Sequence, residues 1–308
     1  MFAHKRGRIA AGVIAAGALL ALSACSSGGG ALSGDTASSA PDTITVGSAA
    51  FPENEILMQI YAQALESKGV KVTTKPNIGQ RDVYLAALKD GSIDLVPEYS
   101  GNLLQYYSKD STATSSDDVF AALNDALPSG FEVLDQSQAQ DADSYNVTKE
   151  FSDKYGVTSL ADLSKVTIPL VVGANPEFAT RPYGIPGLKS AYGVTATLKK
   201  ISDSGGPLTV AALKNGDVQL ADIYTTTPAI KENNFVTLKD PKSLIAAQNV
   251  VPLINSKKAS NTVKDVLNQV SKALTTEDLI TLNSENQGAS KTQPDALAKE
   301  WLASHPIK

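Results

Sequence analysis

Ala86-Ala87-Leu88-Lys89-Asp90-Gly91-Ser92-Ile93-Asp94-Leu95 runs on through Val96-Pro97-Glu98 to Tyr99-Ser100. At an ungapped offset of 125, Ala211-Ala212-Leu213-Lys214-Asn215-Gly216-Asp217-Val218-Gln219-Leu220 runs through Ala221-Asp222-Ile223 to Tyr224-Thr225. Each copy reads as a helix end, a glycine free to take positive φ and stop it, an alternating strand, then a tyrosine and a hydroxyl residue. Ligands of open α/β sheets sit beyond the carboxyl ends of strands. Two such ends, one in each half, predict two Rossmann-like α/β lobes that present Tyr99 and Tyr224 to each other across a cleft. Taken singly, either tyrosine reads equally well as a half-buried core residue; the duplication favours the cleft.

The chain has 308 residues, room for two domains, and a formal net charge of −5. Loss of Lys5, Arg6 and Arg8 with an N-terminal leader takes −5 to −8, which argues against a nucleic-acid partner. Cys25 is the one cysteine, and His4 and His305 are the two histidines. The body beyond residue 25 therefore has no Cys–His pair, no Cys/His metal cluster and no disulfide, and no cofactor is expected. A carboxylate pair such as Glu98 with Asp222 leaves glycoside hydrolysis open as an enzymatic reading, although no spacing places the two together.

Residues 1–24 read as a lipoprotein signal peptide: a basic start, an apolar run from Ile9 to Leu22 too short to span a membrane comfortably, then Leu22-Ser23-Ala24-Cys25. That tetrapeptide resembles the lipobox of bacterial lipoproteins, which implies cleavage before Cys25 and lipidation of its sulfur. The competing reading is an uncleaved anchor. Residues 25–43 are rich in Ser, Gly and Ala and read as a flexible tether.

Beyond the tether, strands are expected at Thr43–Gly47, near Val70–Thr74 and at Ile93–Tyr99. Helices are expected at Glu53–Lys68, near Arg81–Lys89, from Asn102 to Tyr107, and from an Asp117 cap to Leu127. The second half predicts strands over Val166–Gly173 and Leu244–Ile254. Val46-Gly47 and Val172-Gly173 also match, each followed by a loop with Pro, Glu and Phe. Amphipathic helices follow, one carrying Val263, Val266, Leu267, Val270 and Leu274, another spanning Pro294 to Ser304. Packed back on the first lobe, they make the chain cross twice, near 142–144 and near 248–251. That division sets lobe I at 44–142 plus 251–308 and lobe II at 143–250, with a hinge between them.

Gly47-Ser48 with Phe51, Pro97-Glu98-Tyr99-Ser100-Gly101, and Glu177-Phe178 with Arg181 resemble the substrate-binding proteins of glycine betaine, choline and osmoprotectant ABC importers. Asp162-Leu163, Gly187-Leu188 and Tyr192-Gly193 fit as well, and the likeness runs from about residue 44 to 303. The resemblance implies a type II periplasmic-binding fold and a box of tyrosines around a quaternary ammonium. The matching positions are Tyr99, Tyr145 and Tyr224, with Asp143 beside Tyr145 and Arg181 facing a ligand carboxylate. It further implies an ABC permease and its ATPase as partners, and a place on the outer face of the cell membrane, held there by the lipid anchor.

The physics suits those residue types. A trimethylammonium has no N–H to donate, so aromatic faces must recognise it. A carboxylate suits a guanidinium and the free backbone N–H groups where Ser100-Gly101 opens a helix. The chain departs from the family pattern at Ala49, where the family has lysine, at Asn102 and at Gln248, which occupies the position of a fourth box tyrosine. Those departures keep open a diverged ligand, hydroxylated or aromatic, and a lipoprotein that senses rather than transports.

Overall fold

The computed structural model describes residues 43–308; the leader, Cys25 and the tether up to residue 42 lie outside the described residues. Four strands and four helices come first: β1 (Thr43–Gly47), α1 (Pro52–Glu66), β2 (Lys71–Lys75), α2 (Arg81–Lys89), β3 (Leu95–Tyr99), α3 (Ser100–Tyr107), α4 (Ser116–Ala126) and β4 (Phe131–Val133). A second set repeats the rhythm: β5 (Tyr145–Val147), α5 (Lys149–Tyr155), β6 (Leu170–Ala174), α6 (Ile185–Tyr192), β7 (Ala196–Lys200), α7 (Pro207–Lys214), β8 (Leu220–Asp222), α8 (Ala229–Glu232) and β9 (Val236–Thr237). The chain then returns through β10 (Val250–Asn255) and closes with α9 (Asn261–Ala273), α10 (Thr276–Gln287) and α11 (Pro294–Ser304).

The strands form two five-stranded sheets with the same plan, β2-β1-β3-β10-β4 and β7-β6-β8-β5-β9. In each, three parallel strands carry a repeat unit, and the next strand over is antiparallel and comes from across the molecule's middle. β3 and β8 occupy the same central place, so the duplicated segments end at equivalent edges. β3 is buried along its whole length, as a strand covered on both faces must be.

Each sheet is coated on both sides. On the first, Ile56, Leu57, Ile60, Tyr61 and Leu65 of α1 pack with Val263, Val266, Leu267 and Val270 of α9 and with Leu297 and Trp301 of α11. The opposite face holds Leu85, Leu88, Leu103, Leu104, Val119 and Leu123. On the second sheet, Leu160, Leu163, Phe178 and Leu188 cover one face, and Leu213, Val218 and Ile223 the other. Burial of apolar side chains at about 1.5–3 kcal/mol each is what makes these layers cohere.

Local chemistry shifts three boundaries from the sequence reading. α4 is capped by Ser115, whose side chain accepts from the Asp118 amide, rather than by Asp117. The strand expected from Val166 begins at Leu170, because Leu160–Lys165 winds into a 3-10 helix capped by Ser159. The strand expected from Leu244 begins at Val250. The stretch before it crosses between the sheets beside the outgoing crossing, with Gln140 paired antiparallel to Asn249. Ser137, Val250 and Asp141 donate backbone bonds across this pair of crossings.

Candidate functional site

α1 opens at the edge where β1 ends. Pro52 suits the first turn, since its missing N–H is one the helix leaves free, and Glu53 and Glu55 face the positive end of the dipole. That start sets the half-buried Phe51 ring at the edge of the first lobe, against both of its cores. Phe51 lies 5.9 Å from Tyr99 and 5.4 Å, edge-on, from Tyr224. The two duplicated tyrosines thus flank one ring and line one cavity, Tyr99 at the end of β3 and Tyr224 just beyond β8.

Ala49, Phe51, Tyr99, Tyr224, Asn102, Asp141, Asp143, Arg181, Gln80, Arg81 and Tyr84 enclose this cavity, about 40 Å³ in volume. Such a space admits ordered water and little more. Larger openings adjoin it on two sides. One of about 550 Å³ shares Phe51, Asp141 and Tyr224; another of about 580 Å³ shares Arg81, Asn102 and Arg181. The cavity is therefore polarised, with rings and Asp141 toward one mouth and guanidiniums toward the other.

Contacts between the lobes close it. The Thr226 hydroxyl, beyond β8, donates to Glu53 Oε2 at 2.6 Å, and Asn283 Nδ2 on α10 donates to the same oxygen at 2.6 Å. The Tyr99 hydroxyl donates to Glu53 Oε1 at 2.7 Å. Asp141, on the outgoing crossing, accepts from the Thr225 hydroxyl and the Thr226 amide. Asn102 Nδ2 donates to Asp143 Oδ2 at 2.8 Å. Burial raises the Glu53 carboxyl against the pull of its three donors, and burial together with Glu53 raises Asp141 well above the ordinary range.

Both guanidiniums are already engaged. Arg181 Nη1 donates to the Tyr183 hydroxyl at 2.8 Å and to Asp143 Oδ1 at 3.4 Å. Arg81 grips both Glu98 oxygens, Nε at 2.9 Å and Nη2 at 3.0 Å, and the Tyr84 hydroxyl adds a bond to Glu98 at 2.7 Å.

Of the residues singled out in the sequence, Tyr99, Tyr224, Arg181, Asp143, Asn102 and Ala49 meet around this cavity. Tyr145 and Gln248 do not reach it. Tyr145 points into the second lobe, its ring against Phe178 and its hydroxyl donating to the Tyr183 carbonyl at 2.9 Å. It lies on β5, and that strand's register with β8 turns its side chain to the core. Gln248 is fully buried behind Asn102: it accepts from the Asn102 amide and donates to the Asn102 side chain, both at 2.9 Å. It holds α3's first turn in place at the position where the family pattern has a box tyrosine.

Phe51, Gln80, Arg81, Tyr84 and Asp141 were missed. Phe51 lay in a loop matched to the Phe178 loop, but Phe178 packs inside its own lobe, so the repeat gave no sign that the two rings part. The Arg81–Glu98 pair spans α2 and β3 and leaves no mark at a fixed spacing. The acid pair considered for catalysis is likewise apart in role, Glu98 bound to Arg81 and Asp222 lying against Asp143. Among the described residues no group of His, Cys, Asp or Glu could hold a metal ion, and no helix is long and apolar enough to cross a membrane.

Two α/β lobes with matched sheets, two crossing strands and a cavity between their strand ends define a bilobal solute receptor of the type II periplasmic-binding fold. Residues 42–304 match the substrate-binding domain of ABC-type glycine betaine transport systems. The glycine-betaine-binding protein of Pseudomonas aeruginosa is 27% identical over 69% of this chain and 71% of its own length. The carnitine transport binding protein OpuCC of Listeria monocytogenes is 27% identical over 86% of this chain and 87% of its own. A crystal structure titled as a glycine betaine/carnitine/choline ABC transporter superposes with a TM-score of 0.68 at 21% identity, over 85% of this chain and 98% of the other. The chain belongs to the family of substrate-binding domains of ABC-type glycine betaine transport systems. It is a non-enzymatic, extracytoplasmic solute-binding component of an importer.

Proposed function

We propose that the two lobes, residues 44–142 with 251–308 and residues 143–250, close as a clamp on a small solute with a quaternary ammonium head of the glycine betaine or choline type. The loaded clamp then hands it to an ABC permease driven by its ATPase. Cys25 carries the lipid that keeps the clamp at the outer membrane face, and residues 25–43 are the tether that lets it reach the permease.

One observation carries the reading: three aromatic rings, Phe51 and Tyr99 from one lobe and Tyr224 from the other, converge on one inter-lobe cavity. A head group without N–H donors is recognised by π-faces, at about 0.5–2 kcal/mol per ring as water is excluded. Asp141 and Asp143 line the same cavity beside the rings. Ala49 leaves space where a longer side chain would fill the cavity, and Gln248 sets Asn102. Relatives named for glycine betaine and carnitine support the same head group.

Titration calorimetry of the purified chain with glycine betaine, choline and carnitine tests it. At least one should bind stoichiometrically without turnover, and Tyr99→Ala or Tyr224→Ala should weaken that binding about tenfold. Unchanged affinity in both variants would refute the cleft assignment.

A further inference from the structure

Val83 and Leu208 are the most exposed large apolar side chains among the described residues, at 51% and 66%. They hold the same place in the duplication, at the offset of 125, each in the first turn of its helix, α2 and α7. Each opens a ridge at i, i+3 and i+6 that stays in solvent: Val83, Ala86 and Lys89 on one lobe, Leu208, Ala211 and Lys214 on the other. Core packing does not require these side chains, because Leu85 and Leu88 bury the other face of α2, and Ala212 and Leu213 that of α7. A lone exposed leucine needs no explanation, but a matched pair beside the cleft does. Asp82 borders one opening of the cleft and Pro207 the other. The lobes touch just ahead of both helices, where Gln80 Nε2 donates to Ser204 Oγ at 3.4 Å. Both ridges therefore start at the seam, and closure of the lobes sets the distance between them.

Resting on the lipid-anchored importer reading above, we propose that these two ridges are the docking surface for the permease. Each apolar side chain enters a pocket of a membrane-spanning subunit, and the lysine at the end of the ridge meets a carboxylate there. Because the ridges are copies of one motif, the partner presents one socket twice, as two like subunits do. The occupant must lie within reach of the anchor, and the chain between Cys25 and Thr43 spans at most about 60 Å when extended. Thr43 starts β1, which runs parallel to β3, so the tether leaves the sheet edge opposite the cleft. A five-residue strand is about 17 Å long, so the tether is long enough for the cleft side to turn toward the membrane. Charge argues against the lipid surface itself. Loss of Lys5, Arg6 and Arg8 takes the net charge from −5 to −8, and Asp82 and Asp90 stand exposed beside the ridge on α2, so an anionic bilayer repels this face. Two short ridges make a small, transient contact, as delivery and release require.

Photo-cross-linking in intact cells that make the importer tests the surface. The full chain with p-benzoylphenylalanine at position 83 or 208 should cross-link to matching segments of the permease's two subunits, identified by mass spectrometry. The same group at Ile168, exposed ahead of β6 at the sheet edge away from the cleft, should not. Cross-links to a second copy of the chain or to lipid, equal yields from all three positions, or no cross-link at all would overturn the proposal. Val83→Glu with Leu208→Glu places in each first turn a residue that the helix dipole favours. That double variant should lower cellular uptake of labelled choline, glycine betaine or carnitine at least tenfold, while calorimetric affinity of the purified chain stays within twofold; unchanged uptake would overturn the docking. Failure of the wild-type chain to bind any of the three would overturn the quaternary-ammonium reading and leave the cross-links to decide the surface.

Discussion

Thr226 offers a way to perturb closure without touching the solute. Its hydroxyl donates to Glu53 Oε2 at 2.6 Å across the seam between the lobes and accepts from Asn283 Nδ2 at 3.0 Å. Thr226→Val keeps the shape and removes both bonds. Leaving a buried polar group without its partner costs about 1–3 kcal/mol, and Glu53 would keep Tyr99 and Asn283 as donors, which sets the loss at about 1.5–2 kcal/mol. In an open clamp these groups face water, so the substitution leaves that state nearly unchanged. The whole loss then falls on the closed state and appears in the apparent affinity. The expected effect is a dissociation constant raised roughly tenfold to thirtyfold for whichever quaternary ammonium binds tightest. The melting temperature without solute should stay close to wild type. Calorimetry gives the first quantity and a thermal melt the second. Equal affinity in Thr226→Val and wild type would refute the argument that this bond belongs to the closed form alone.

Tyr145→Phe should leave solute affinity within about twofold of wild type, because the hydroxyl serves the Tyr183 carbonyl inside the lobe. It should lower the melting temperature by a few degrees, since a buried hydrogen bond is worth about 1 kcal/mol; a tenfold loss of affinity would place the ring back in the cleft. The raised carboxyls give stability a definite pH slope. A carboxyl whose folded pKa lies above its unfolded value holds more protons when folded, so stability falls as pH rises from the ordinary carboxylate value of 4.5 through the raised one. Melts from about pH 4.5 upward should therefore fall in temperature for wild type and fall less steeply for Glu53→Gln; parallel slopes would sink that account. Gly101→Ala should destabilise the chain by about 1–3 kcal/mol in urea. The added Cβ would stand 2.5 Å from the Ala247 carbonyl oxygen and 2.7 Å from Gln248 Nε2, both on the returning crossing.

Much of this molecule was legible in one dimension. The duplication placed β3 and β8 at the same point of two sheets, and the pairing of Tyr99 with Tyr224 followed from it, because helix stops and strand alternation are set by neighbours a few residues away. The heptad-like spacing of Val263, Val266, Leu267 and Val270 announced α9 for the same reason. The site was only partly legible. Phe51 and Phe178 sit in matching loops, yet one ring stands between the two cleft tyrosines and the other is packed in a core, because the chain turns differently where α1 begins. Tyr145 and Gln248 carried the chemistry expected of a binding wall, and strand register and the close approach of α3 to the returning crossing turned both inward. Arg81 with Glu98, and Glu53 with Thr226 and Asn283, join residues 17 to 230 positions apart. Sequence by itself settled the duplicated helix ends and central strands, the longer helices such as α1 and α9, and that the halves match, since those follow from local backbone preference and apolar period. Only the tertiary structure decided which rings and charges share the cavity, since that depends on how sheets and crossings pack over long separations.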